Sequence, residues 1–361
     1  DYYILRQLGA FDSFISVLSN FFAVPWQTVH AEFDSHDKAI LLGTAGGVLR
    51  AVGRLFEATQ PMKASLDMFV EQEDWQQSAI NASNLSELSV TLGEVTDAVK
   101  YGEQSVTFAD KSDDGFEMEA RRTVHADALF QSGEDQAAQN QFIEAEAMQQ
   151  KRQPGYTFLY SIQGYRFCEL LLALGQYQQV LKRAQTNIEI SKRHHWLLHI
   201  ALDQLTIGKA LKQQVITETL VDFTEAQSWF DKVITGLRQA GQQDYLPLGL
   251  LARADLHRLQ NNFTQCWTDL DETRDIASHS SMLLHLTDYH LSACRTINAQ
   301  LAAQPEANSQ TEFSIIDNGK NLRLSKAELQ TRFTHHLTTA TELVNQTGYH
   351  RRDDELIALQ Q

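Results

Sequence analysis

Leu92-Gly93-Glu94-Val95-Thr96-Asp97-Ala98 decides the fold, because the chain repeats this phrase at a fixed distance. Upstream it reads Val52-Gly53-Arg54-Leu55-Phe56-Glu57-Ala58. Downstream it reads Ser132-Gly133-Glu134-Asp135-Gln136-Ala137-Ala138 and then Leu174-Gly175-Gln176-Tyr177-Gln178-Gln179-Val180. Gly53, Gly93 and Gly133 are 40 residues apart, and Gly175 follows after 42. A period of this size marks stacked units of one supersecondary structure, each burying its apolar face on its neighbours. The glycine suits the end of a helix, where the backbone turns left-handed. The alanine five residues later lets the next helix approach closely. Each unit is therefore expected to be helix A, a turn at the glycine, and helix B.

Working outward, a fifth unit is expected from a helix near His199–Lys212 and another near Glu225–Leu237. Its turn, Gln213–Phe223, is long. A sixth spans Leu248–Ala277, and in its turn, Gln260-Asn261-Asn262-Phe263, asparagine replaces the glycine, since asparagine tolerates the left-handed region. A last pair covers Ser281–Leu301 and Lys326–Asn345. Residues 1–24 carry apolar residues at helical spacing until Pro25-Trp26, and Ser35 is placed to cap the first regular helix. The expected division is a helical cap over 1–34, repeats over 35–301, a polar and partly β-prone loop over 302–323, and a last helix with a C-terminal cap over 324–361.

Scarce proline (5 residues) and abundant Gln, Ala and Leu agree with an all-α chain. The net charge of −16 argues against sequence-independent nucleic-acid binding, which draws on Lys and Arg. Three separated cysteines, Cys168, Cys266 and Cys294, give neither a disulfide framework nor a zinc cluster and fit a reducing, cytoplasmic setting. No apolar run is long enough for a membrane span. The opening Asp1-Tyr2-Tyr3, without Met, suggests a piece of a longer protein.

The grammar of these units resembles the tetratricopeptide repeat. Gly133, Ala138, Phe142 and Ala145 match its signature spacing, and Gly46, Ser86, Ala126, Cys168, Gly208 and Ala254 fall at its small mid-helix position. The longer period, with Tyr160–Leu172 and Gly348–Asp353, resembles C-terminal sensor regions of bacterial STAND-type signalling ATPases. The resemblance implies a right-handed α-solenoid that binds a protein or peptide along its concave helix-A face, as the sensor or scaffold part of a signalling protein. It also implies an upstream nucleotide-binding or effector domain in the full-length chain. A small-molecule effector array is the second reading.

Catalytic motifs are absent. Gly43-Thr44-Ala45-Gly46-Gly47 is followed by no Gly-Lys-Ser/Thr, and there is no Gly-x-Ser-x-Gly, His-Glu-x-x-His or EF-hand ladder. The chain is therefore read as a non-enzyme with no cofactor. His195, His199 and Asp203, spaced by four, would share a helix face that could hold a transition metal, but a plain polar strip is the expected reading and no metal is assigned. On helix A the candidate binding residues are Asn81, Asn84, Glu87, Asp127, Tyr165, Arg166, Glu169, Asp203, Arg253 and Asp255. An asparagine can pair with a peptide backbone and an arginine can hold a carboxylate. The competing role for them is a lattice of ion pairs between units. If they bind a ligand, Arg166→Ala with Asn84→Ala should abolish binding and spare the melting temperature.

Overall fold

The computed structural model describes residues 3–220, 222–306 and 311–361. Helices α1 (Tyr3–Arg6) and α2 (Phe11–Leu18) lead into a two-stranded antiparallel hairpin, β1 (Phe22–Val24) and β2 (Thr28–Val29). The hairpin departs from the purely helical cap expected. Trp26 takes φ +62° there and packs its ring 5.3 Å from that of Phe22.

Seven helix pairs follow among the described residues. They are α3 (Ser35–Ala51) with α4 (Leu55–Glu71), α5 (Trp75–Leu92) with α6 (Val95–Ser112), and α7 (Gly115–Gln131) with α8 (Asp135–Arg152). Next come α9 (Ser161–Ala173) with α10 (Tyr177–Arg193), α11 (Leu197–Thr217) with α12 (Thr224–Ala240), and α13 (Leu246–Leu259) with α14 (Phe263–His279). The last pair is α15 (Leu283–Ala303) with α16 (Lys326–Thr347), and a 3-10 turn (His350–Arg352) and α17 (Asp353–Gln360) finish the chain. Asp34, not Ser35, caps α3: its carboxylate accepts from the Asp37 N–H, so Ser35 is already the first helical residue. The long fifth turn is shorter than expected, because α11 winds on through residues 213–217. Within the stretch read as a polar loop, Glu312–Asp317 (β3) and Lys320–Ser325 (β4) form an antiparallel hairpin. Its Phe313 and Ile315 are buried against Trp267 and Leu329, and the rest of that loop, 307–310, lies outside the described residues.

The small mid-helix residues do the work expected of them. Ser86, Ala126, Cys168 and Ala254 are at most 1% exposed, and the Ser86 hydroxyl donates to the Ala98 carbonyl on the paired helix at 2.7 Å. A Cβ on Gly208 would sit 3.1 Å from the Phe230 ring. All three cysteines are free and buried. Helices α5, α7, α9, α11, α13 and α15 touch their successors directly and form an inner wall, with the second helix of each pair outside.

The inner wall closes on itself. Helix α15 packs on α5, and the His350–Arg352 turn packs on α7. Tyr349 is buried with Val95 and Leu284. Arg351 lies 3.9 Å over the Phe130 ring and donates to Gln131. Elsewhere the Gln243 N–H donates to the Ala51 carbonyl at 2.7 Å, and the Gln7 amide donates to the His194 carbonyl. The units thus form a ring in which the seventh meets the second and the C-terminal turn meets the third.

Between α15 and α16, His290 Nδ1 and His336 Nδ1 are 2.8 Å apart. Burial, then the neighbouring rings, pushes His290 down to about 4 and His336 down to about 3. The unfolded imidazole titrates near about 6.5, so both are neutral in the fold at neutral pH. Below that value the unfolded chain takes protons that the folded pair refuses. Stability should therefore fall as pH drops from about 6.5 to about 4, by up to about 1.4 kcal/mol per pH unit for each histidine. Melting temperatures of the wild type and of a His290→Gln/His336→Gln variant check this. Parallel curves over that window would count against it.

Candidate functional site

The inner helices α5, α7, α9, α11, α13 and α15 line a partly open cavity of about 760 Å³. Its charged lining holds more carboxylates than cations. At one end, Glu87 on α5 bridges Arg50 on α3 and Arg166 on α9. Burial alone would raise the Glu87 carboxyl, but the two guanidiniums hold it at about 2. Arg166 also reaches Asp127 on α7 at 3.7 Å. Further round, Lys209 on α11 pairs with Glu169 at 2.8 Å, and Lys212 pairs with Asp255 on α13. Asp255 also accepts from Arg258, and these cations hold its carboxyl well below the usual range despite burial. The C-terminal turn supplies the remaining wall, where Arg352 pairs with Asp288 at 2.7 Å. Tyr165 and Tyr245 line the cavity as neutral phenols, since burial pushes both well above their usual range.

Six of the ten residues singled out from the sequence meet here: Glu87, Asp127, Tyr165, Arg166, Glu169 and Asp255. The other four do not line the cavity. Asn81 is buried between helices, with its amide on the Gln77 carbonyl. Asn84 is half-buried one turn further from the cavity end of α5. Asp203 is buried against α10, accepts from Ser191 at 2.7 Å, and is pushed up to about 8 by burial. Arg253 forms a two-pronged pair with Asp269 on α14. The imagined metal face also fails. His195 sits in the turn before α11 at φ +54°, and His199 turns to Ser161. Arg50, Asp244, Tyr245, His285 and Arg351 were missed because they stand at helix ends or in the linking and C-terminal turns.

An inner wall of antiparallel helix pairs, turning through positive-φ residues near each fortieth position, settles the architecture. The fold is tetratricopeptide-like. A solved structure of Rap protein, complexed with Competence and Sporulation Factor, superposes with a TM-score of 0.53 over 99% of this chain and 94% of that one, at 11% identity. The P58(IPK) TPR domain aligns over 86% of this chain and 80% of its own at 15% identity, with a TM-score of 0.25 too low to bear on the ring. Neither a protein-family model nor a curated protein sequence matches the chain. Among the described residues no helix is long and apolar enough to cross a membrane, and no group of His, Cys, Asp and Glu is arranged to hold a metal ion.

Proposed function

We propose that the protein is a non-catalytic binding module that takes a short peptide, or a short segment of a partner protein, into its central cavity. The observation that carries this is the partly open cavity of about 760 Å³ walled largely by polar side chains from successive units. Pockets for small ligands run from roughly 300 to 1,000 Å³, so the space suits a few residues of extended chain and not a folded domain. The mixture of carboxylates, cations and phenol hydroxyls suits a ligand with backbone amides and charged side chains. The likeness to a Rap structure holding a bound factor adds support at the level of fold. A sensor role within a longer signalling chain is the wider setting we infer. The competing reading, a small polar effector in the same cavity, draws on its moderate volume.

A random-peptide display screen tests the proposal. Ala173 is exposed on the cavity wall at the end of α9, and Ala173→Trp would narrow the cavity there. The wild type should enrich a peptide family and Ala173→Trp should lose it by at least about tenfold, with the melting temperature unchanged. Equal enrichment on both proteins, or none on the wild type, would overturn the peptide reading.

A further inference from the structure

Among the charges around Glu87, Asp244 is poorly paired. Arg50 and Arg166 are both committed to Glu87, and Asp127 shares Arg166. Asp244 lies beside the same group, its side chain 5% exposed. Its nearest cation is Arg50 Nε at 3.9 Å, outside hydrogen-bonding range. Asp244 Oδ1 has no hydrogen-bond partner among the described residues, nor has Arg50 Nε or His285 Nδ1. The other neighbours are uncharged: the Tyr245 phenol, and the His285 imidazole, whose Nε2 is 3.2 Å from the Asp244 backbone carbonyl. A carboxylate taken out of water without a full partner is costly, and it is relieved by a proton or by an incoming cation. Burial and the nearby Glu87 push Asp244 up to about 7 against the pull of Arg50.

Position strengthens the point. Asp244 belongs to the link between α12 and α13. That link is pinned to the first unit through Gln243 N–H on Ala51 and to the seventh through His285. Contacts from two other units therefore hold Asp244 on the cavity lining.

We propose that Asp244 is the anchor for a cationic group of the bound segment, either an ammonium or a guanidinium. This rests on the peptide-binding reading and goes beyond it by naming a charge. A bound cation beside Asp244 supplies the close positive partner that Arg50, at 3.9 Å, does not. It also enters a cavity already richer in carboxylates than in cations.

The test repeats the random-peptide screen on the wild type and on Asp244→Asn, followed by affinity measurements on synthetic peptides with free or acetylated N-termini. The wild type should enrich peptides sharing one cation. Asp244→Asn should weaken them by at least about thirtyfold while melting no lower than the wild type, since the carboxylate it removes is poorly paired. Acetylation separates the sources: loss of affinity identifies a chain-terminal ammonium, and retention identifies a Lys or Arg side chain. Enriched peptides without a common cation, or an equal cation preference in Asp244→Asn, would overturn the anchor and leave the peptide reading standing. No enrichment on the wild type would sink both.

Discussion

Glu87→Ala is expected to lower the unfolding free energy by about 3–5 kcal/mol, the usual consequence of stripping one partner from a buried ion pair. The size follows from what is left behind. Arg50 and Arg166 are only 14% and 7% exposed at their side chains. Both lose their main carboxylate, and Arg166 retains only the longer contact to Asp127. The three side chains come from the first, second and fourth units, so the loss is felt across the ring. Urea denaturation measures it. A change below about 1 kcal/mol would mean that water replaces the carboxylate at little cost, as in an exposed pair. The same geometry revises the expectation for Arg166→Ala with Asn84→Ala. That variant should lose stability, because Arg166 is a strut between units before it is a ligand contact.

Gly93→Ala is expected to open the ring. Gly93 adopts φ +84°, where an L side chain costs about 1–2 kcal/mol. A Cβ there would lie 2.7 Å from both Leu283 Cβ and Thr347 Cγ2, the facing surface of the seventh unit. Overpacking of that kind adds about 1–3 kcal/mol. Gly175 is the internal control: it shares the left-handed turn at φ +73°, but a Cβ would find only the Tyr177 hydroxyl, at 3.9 Å. Gly175→Ala should cost the backbone strain alone and leave the radius of gyration unchanged in small-angle scattering. Gly93→Ala should cost more and expand the particle. Equal losses from the two substitutions, with no expansion, would falsify the closing role of Gly93.

The units were legible because their signal is local. A glycine, an alanine and a small mid-helix residue recur in register, and the alanine and the mid-helix residue pack within their own pair. Much of the cavity was also written in that register. Glu87, Asp127 and Glu169 stand six residues before Gly93, Gly133 and Gly175, and Asp255 stands six before Asn261. All four face the cavity. Arg166 and Tyr165 lie a helical turn earlier on the same stripe. The misses have a physical reason too. Asn81 and Asn84 lie further from the cavity end of α5, and Arg253 falls off the stripe toward α14. Asp244 is in a link that obeys no repeat. Closure itself left no local mark. It depends on the rotation accumulated over seven units, and it joins residues as distant in sequence as Gln131 and Arg351. The hairpin at Glu312–Ser325 was visible only as β-prone composition, since pairing requires a register that composition does not state.

An open array of repeats is weakest at its two extremities, because a terminal unit has a neighbour on one side only. Among the described residues, both end segments of this array have a second contact. The final turn lies on the third unit, and the opening segment reaches the carbonyl that ends the fourth. Fraying therefore cannot start by peeling one unit from one side, since each candidate is held by a second interface. A molecule assembled from nearly independent pieces is thereby expected to unfold in one all-or-none step like a single globular body, a change at the seam being passed to every unit between.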